Sequence, residues 1–214
     1  MTASANRRWA LVGLLTVALW IAGVFLVTLN QPGDHATGSV ILAWYKSSTD
    51  TILLGGWLFM LGCLAFVAFV TGLRQRLAEA TGAGSQLPGL ALVGAAMTGV
   101  FGMLLGAADV GGGIDKSEIG PATAAAFHHA GDIFFVCAEL AAILPLAAVA
   151  VIAWRTRVLP RWWAVFSGLV TVVLVIGPIG WLGLIFGLPI WTLGTSLFVL
   201  LGSRVRMQTA AAAA

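Results

Sequence analysis

Apolar segments of about 20 residues recur along the whole chain, and they constrain its fold more than any other feature. A helix of that length can cross a hydrocarbon core about 30 Å thick. The segments fall at residues 9–29, 51–73, 88–108, 123–154, 162–177 and 181–202. Of the 214 residues, 60% are hydrophobic and only 9% are charged, which is too few charges to cover the surface of a soluble domain of this size.

The fold class follows from the chemistry of the bilayer. Lipid offers no hydrogen bonds to the backbone, so a spanning segment must be a helix or part of a closed barrel. These segments are continuously apolar instead of alternating, which favours helices. The sequence therefore predicts an all-α, polytopic membrane protein. We expect a single six-transmembrane-helix bundle over residues 1–206, followed by a disordered tail at 207–214.

The distribution of basic residues predicts the orientation of this bundle. Nine of the 11 lysines and arginines fall on the same side as the N-terminus: Arg7, Arg8, Arg74, Arg76, Arg155, Arg157, Arg161, Arg204 and Arg206. Lys46 and Lys116 fall on the opposite side. Short loops rich in basic residues stay in the cytoplasm, so both termini are predicted to be cytoplasmic. The excess of arginine over lysine favours a GC-rich bacterial genome, and hence a multi-pass protein of the bacterial cytoplasmic (plasma) membrane.

Two longer connections lie on the predicted outer side. Residues 30–50 are predicted to form a polar connection, in which Trp44 and Tyr45 indicate a stretch lying along the membrane interface. Residues 109–121 contain three consecutive glycines and are predicted to be flexible. Pro121 is a suitable start for the next helix, because proline at the first helical position loses no needed hydrogen bond.

The fourth apolar segment carries the acidic residues Asp132 and Glu139 inside an apolar stretch. His128 and Asp132 are four residues apart, and Asp132 and Glu139 are seven apart, so all three share one helical face. If Trp154 lies at the inner boundary, Glu139 lies about 10 Å below the outer one. Charged groups in a membrane usually face the bundle interior or a water-filled cavity. The sequence therefore predicts a polar cup that opens outward.

This predicted cup supplies the candidate functional residues. The candidate catalytic residues are Asp132, Glu139 and His128. The candidate binding residues at a similar height are His129, Asp109 and Asp50. Desolvation of Glu139 would suit it to donate a proton in acid/base catalysis.

A metal centre is a further hypothesis for the same residues. His128, His129 and Asp132 are candidate ligands, because histidine and aspartate commonly bind zinc. A metal-bound water could then attack a lipid-like substrate. Their spacing matches no established zinc motif, and the two histidines lack an opposing partner for haem.

Several functions remain open at this point. The leading interpretation is an integral membrane protein that binds a small apolar or amphipathic molecule in the outward cup. The alternatives are a membrane-embedded enzyme acting on a lipid-like substrate and a small-solute or proton-coupled transporter. In the simplest interpretation, Asp132 and Glu139 only hydrogen-bond to neighbouring helices. The cofactor is unknown, the lipid bilayer is the expected partner, and nucleic acid is not expected, because the basic residues lie at helix ends.

Small residues recur at every fourth position of the third segment, at Gly94, Thr98, Gly102 and Gly106. Such a face lets helix backbones approach closely. The sequence predicts that it packs within the bundle, with Gly94, Gly102 and Gly106 as an alternative seam for an oligomer.

The closing part of the chain carries a resemblance to known proteins. The stretch 157–166 reads RVLPRWWAVF, and a later Gly-Trp-Leu stretch comprises Gly180, Trp181 and Leu182. Together with the opening NRRWAL, this resembles a broad group of uncharacterised six-helix integral membrane proteins from GC-rich Gram-positive bacteria. The resemblance implies the six-helix architecture and no particular activity.

Overall fold

A computed structural model describes residues 3–33, 35–82 and 84–212, with the side chains of residues 7–33, 35–82 and 84–201. All regular structure within these ranges is helical. The helices are α1 (Ala3–Thr28), α2 (Gly38–Ser47), α3 (Thr49–Thr81), α4 (Leu87–Ile114), α5 (Pro121–Thr156), α6 (Arg161–Val175), α7 (Gly177–Leu182), a π-helix (Gly183–Gly187) and α8 (Leu188–Ala212).

Among the described residues, five helical stretches are long and apolar enough to cross a membrane. They are Arg7–Thr28, Thr49–Thr81, Leu87–Ile114, Pro121–Thr156 and Gly177–Leu201. Their outer faces expose large apolar side chains such as Leu15, Ile21, Phe25, Val93 and Val100, which suits contact with lipid chains. The prediction of an all-helical fold is therefore confirmed for the described residues, and five of its helices have the length and apolarity of membrane spans. The apolar helix α6 is shorter, with 15 residues.

The helices pack as a series of neighbours. Helix α1 contacts α3 and α8, α3 contacts α4, α4 contacts α5, and α5 contacts α6. The α1–α3 contact is close because glycines face each other: a Cβ built on Gly23 would lie 2.7 Å from the Gly55 carbonyl oxygen. The core between the helices includes Trp20, Phe66, Leu146 and Trp191.

The small-residue face of α4 lies against other helices of the same chain. A Cβ built on Gly94 would meet Pro145 Cδ of α5 at 2.5 Å, and one on Gly102 would meet Cys63 Sγ of α3 at 2.6 Å. Gly106 lies against Met60 of α3. Gly94, Gly102 and Gly106 thus pack against other helices of the same chain, which is the packing role predicted for this face.

Three local expectations differ from the structure. Residues 30–50 are not a plain polar connection, because they contain the ten-residue helix α2. Helix α4 continues to Ile114, so the three glycines at 111–113 are helical instead of flexible. The backbone of α8 runs to Ala212 where a disordered tail was expected, while Ala213, Ala214 and the side chains of Arg204 and Arg206 lie outside the described part.

Two indole groups join α6 to α8 through reciprocal hydrogen bonds. Trp163 Nε1 of α6 donates to Thr195 Oγ1 of α8 at 2.9 Å, and Trp191 Nε1 of α8 donates to Ser167 Oγ of α6 at 2.9 Å. All four side chains are buried. Each helix therefore supplies one donor and one acceptor, so both buried N–H groups are satisfied.

Removing one acceptor should destabilise this contact. Ser167→Ala leaves the Trp191 N–H buried without a partner, and we expect a loss of about 1–2 kcal/mol in the free energy of unfolding. Thr171→Val is the matched control, because the Thr171 hydroxyl bonds only to the Ser167 carbonyl of its own helix. Denaturation of both variants in detergent would measure the difference. Equal stability of the two variants would contradict a bridging role for Ser167.

Candidate functional site

The short helix α2 covers the end of the bundle at which α4 ends and α5 begins, called here the α2 end. Helix α2 packs mainly on α5, and Gly38 lies directly against the backbone of Pro121. Its buried face consists of Ile41, Trp44 and Tyr45, with Trp44 and Tyr45 exposing 4% and 0% of their surface. These positions have the spacing of one helical face, so α2 buries its apolar face on the bundle.

The glycines at 111–113 each receive a side chain from a different helix. The Tyr45 ring of α2 occupies the space where a Cβ of Gly112 would stand. A Cβ on Gly111 would meet Phe127 Cε1 of α5 at 3.1 Å, and one on Gly113 would meet Ile52 Cγ2 of α3 at 3.5 Å. Glycine within a helix costs about 1 kcal/mol relative to alanine. Here that cost is offset by close packing of three helices on α4.

Beside Tyr45 lies a buried carboxylate. Asp109 precedes Gly112 by about one helical turn and is only 7% exposed, as is His128 of α5. Burial, and then the nearby Asp109 and Asp132 carboxylates, raise the pKa of the Tyr45 phenol well above its usual range. The phenol therefore keeps its proton and remains a hydrogen-bond donor over the ordinary pH range.

Two buried donors of α2 lack a well-formed hydrogen bond among the described residues, Tyr45 Oη and Trp44 Nε1. The Asp109 carboxylate is within reach of the phenol as an acceptor, whereas no described group accepts from Trp44 Nε1. The Trp44 ring instead meets the His128 ring edge to face, with centroids 6.0 Å apart. An unpaired buried donor costs about 1–3 kcal/mol, so native proteins keep few of them.

One edge of this cluster is open. Asp132 and His129 of α5 have side chains that are 68% and 56% exposed, and Asp132 Oδ2 lies 3.4 Å from His129 Nδ1. Asp132 interacts electrostatically with both Asp109 and Tyr45. We call Trp44, Tyr45, Asp109, His128 and Asp132 the α2 cluster. It has a buried floor and a solvent-exposed rim.

The residues that were predicted to line one polar cup lie in separate places in the structure. His128, Asp109 and Asp132 come together in the α2 cluster, and His129 lies at its rim.

The other two predicted residues lie elsewhere. Glu139 is buried against α7, where its carboxyl oxygen occupies the place of a Cβ on Gly180. It lies about 10 Å along α5 from Asp132. Asp50 is exposed at the start of α3. The expectation of one cup containing both Asp132 and Glu139 is wrong, because α7 covers Glu139 and leaves Asp132 open.

No group of three or more histidine, cysteine, aspartate or glutamate side chains within the described ranges is arranged to hold a metal ion. Of the three candidate ligands, His128 turns toward Trp44, whereas His129 pairs with Asp132. The metal hypothesis thus finds no support in this arrangement.

The sequence predicts only an interfacial position for Trp44 and Tyr45 and does not identify them as members of the site. The signal was present in the sequence, because Trp44 and Tyr45 follow Ile41 by three and four residues, which is the spacing of one helical face.

Comparison with protein-family models, with curated proteins and with solved structures finds no match for the chain, so its site is interpreted from its own geometry.

The packing of Tyr45 on α4 can be tested with two neighbouring glycines. Gly112→Ala places a methyl group in the Tyr45 ring, so we expect a clear fall in melting temperature. Gly113→Ala meets only ordinary contacts of 3.5–4.0 Å and gains helix propensity, so its melting temperature should stay equal or rise. Thermal unfolding in one detergent compares the two. A destabilised Gly113→Ala beside a neutral Gly112→Ala would contradict this packing.

Proposed function

We propose that the chain crosses the bacterial cytoplasmic membrane six times, with both termini in the cytoplasm and the α2 end facing outward. The five long spans alone would leave the termini on opposite sides, so α6 must be the sixth crossing. Its 15 residues extend about 22 Å. Residues 162–203, which comprise α6 after its first residue Arg161, α7, the π-helix and most of α8, contain no charged side chain.

The two ends of α6 differ in a way that supports the proposal. At the α5–α6 turn, Arg157 adopts a left-handed conformation, and the Arg161 guanidinium lies 5.7 Å from the centre of the Trp154 ring. At the opposite end, the corner between α6 and α7 exposes only apolar and glycine residues, among them Val175, Ile176 and Trp181. Arginine beside tryptophan is typical of the cytoplasmic boundary, and an uncharged corner can sit at or within the opposite interface.

A reporter active only outside the cytoplasm distinguishes six crossings from five. Alkaline phosphatase fused after Arg206 should be inactive, because six crossings return the C-terminus to the cytoplasm. The same reporter inserted after Lys116 should be active and serves as the control. An active C-terminal fusion beside an active Lys116 fusion would remove α6 as a crossing.

We propose further that the α2 cluster binds a small amphipathic molecule. The observation that carries this proposal is a pair of buried donors: Trp44 Nε1, which has no acceptor among the described residues, and Tyr45 Oη, which makes no well-formed bond to the nearby Asp109 carboxylate. An arrangement of that kind costs stability in the empty protein. A ligand acceptor that satisfies the donors recovers this cost on binding.

The surroundings of the α2 cluster suit the apolar part of such a molecule. Ile41, Ile52 and Ala124 are buried next to the cluster, and Phe127 packs against them. Polar groups fix a ligand's orientation while apolar side chains supply most of its contact area. The exposed rim at Asp132 and His129 gives access from the aqueous side.

The hydroxyl of Tyr45 should matter more for binding than for folding. Tyr45→Phe keeps the ring on Gly112 and removes an unpaired hydroxyl, so melting of the empty protein should be unchanged or slightly higher. Binding should weaken by about 3–10-fold, the value of one neutral hydrogen bond. Calorimetric titration of the protein in nanodiscs would measure this, with phenylethanolamine, phenethylamine, phenylethanol and mandelate as probes that share an aromatic ring.

Empty nanodiscs provide the correction for partitioning of the probes into lipid. Saturable binding of at least one probe that weakens in Tyr45→Phe supports the site. If none of the four probes binds saturably, or if Tyr45→Phe unfolds the protein, the proposed role of the α2 cluster is wrong.

A further inference from the structure

We infer that Glu139 is a reversible proton-binding site within the membrane, and that the short helix α7 packs on α5 only while the Glu139 carboxyl is protonated. This inference goes beyond the binding function proposed for the α2 cluster and does not depend on it. Three features of the structure carry it: a buried carboxyl without a partner, its direct contact with the backbone of α7, and irregular backbone on both sides of α7.

The first feature is the burial of the Glu139 carboxyl. Glu139 belongs to α5, which has the length and apolarity of a membrane span, and its side chain is only 5% exposed. No hydrogen bond or ion pair joins this carboxyl to another described residue. An unpaired charge at such a position is costly, so the neutral acid is the favoured form.

The elements that cover Glu139 supply no charge that could stabilise a carboxylate. Residues 162–203, which include α7 and the π-helix, contain no charged or titratable side chain. The one charged residue of α6, Arg161, lies over the Trp154 ring. Trp154 is about 22 Å along α5 from Glu139. A proton is therefore what neutralises the Glu139 carboxyl.

The titratable groups of the other elements packed on α5 have different surroundings. Asp109 of α4, Tyr45 of α2 and Asp132 of α5 act on one another in the α2 cluster. Cys63 of α3 lies in the core, and the charged residues of α3 lie near its two ends. The protonation of Glu139 is thus a separate event that one substitution can remove.

The second feature is the contact between Glu139 and α7. A carboxyl oxygen of Glu139 occupies the place of a Cβ on Gly180, so only glycine at position 180 lets the carboxyl reach the backbone. A neutral carboxyl costs less to bury in such a contact than a carboxylate, which needs several donors or water. Loss of the proton should therefore separate α7 from α5.

The third feature is the irregular backbone around α7, which has only six residues. Ile176, between α6 and α7, has φ −87° and ψ 87°, which is not helical. The π-helix Gly183–Gly187 follows α7 directly. Local π-helical geometry often occurs at functional sites and is a common cause of helix kinks. Helix α7 can therefore move without disruption of a long helix.

Infrared spectroscopy observes the proton directly, because a protonated carboxyl has a carbonyl band that a carboxylate lacks. Subtracting the spectrum of Glu139→Gln from that of the unmodified protein in nanodiscs should leave one such band. The band should disappear as the pH rises from about 5 to about 9, a range that includes the pKa values of buried glutamates. Asp132→Asn removes an exposed carboxylate and should leave the band unchanged. A band that is absent at the lower pH, or that persists unchanged at the higher one, would overturn the proton site.

Deuterium exchange of backbone amides, followed by mass spectrometry, tests the response of α7. At about pH 9, the amides of α7 should exchange at least about tenfold faster in the unmodified protein than in Glu139→Gln, and at about pH 5 the two proteins should agree. Residues 191–196 of α8 are the internal control and should exchange alike in both proteins. Equal exchange of α7 in both proteins at the higher pH would contradict its coupling to Glu139.

Two glycine variants test the contact without altering the carboxyl. Gly180→Ala places a methyl group at the carboxyl oxygen, so α7 should exchange rapidly at every pH. Gly168→Ala on α6 is the matched control, because a Cβ there meets nothing within 4 Å, and it should keep the exchange profile of the unmodified protein. Slow exchange of α7 in a folded Gly180→Ala variant would overturn the contact.

A folding defect in Glu139→Gln would leave the inference testable on the unmodified protein. The ratio of the exchange rates of α7 and residues 191–196 cancels the effect of pH on exchange itself. This ratio should rise with pH, and a constant ratio would overturn the inference.

Discussion

Close approach of helix backbones is the constraint on which this bundle depends. In lipid, apolar side chains gain little by leaving their surroundings, so helices associate through tight packing and a few hydrogen bonds. Gly23 and Gly55 bring α1 onto α3, and Gly94 brings α4 onto Pro145 of α5. The reciprocal bonds of Trp163 and Trp191 join α6 and α8. Close packing at these glycines and the hydrogen-bonded indole groups of Trp163 and Trp191 together hold the spans in a defined arrangement.

The α2 end uses the same kind of packing for a different purpose. The glycines at 111–113 let rings and branched side chains from three other helices lie on α4. That packing brings Tyr45 and Trp44 over Asp109 and His128, and it buries polar groups that the chain itself does not satisfy. Elsewhere in the bundle, hydroxyls such as Thr98 and Ser196 bond to their own helix. The α2 cluster holds two of the three buried side-chain donors without a well-formed hydrogen bond among the described residues, the third being Trp20 Nε1 in the core, and such groups need an explanation.

The sequence predicted the spans well because length and apolarity are local properties. Its main errors came from tertiary contacts. Three glycines in a row have low helix propensity, yet packing of Tyr45, Phe127 and Ile52 keeps them helical. Helical periodicity correctly grouped His128 with Asp132 but could not reveal that α7 covers Glu139. The sequence of α2 has the spacing of a buried helical face, but the helix has only ten residues, so the sequence did not predict it.

The uncharged corner between α6 and α7 has a consequence for how the protein meets bilayers of different thickness. Arg161 and Trp154 fix one end of the hairpin at a polar boundary. The corner at Val175–Trp181 has no lysine, arginine, aspartate or glutamate that would require a fixed depth. Hydrophobic mismatch costs only fractions of a kcal/mol per ångström and is relieved where anchoring is weakest. In the proposed arrangement of six crossings, a thinner or thicker membrane is therefore accommodated at this corner, away from the arginine-bearing surface.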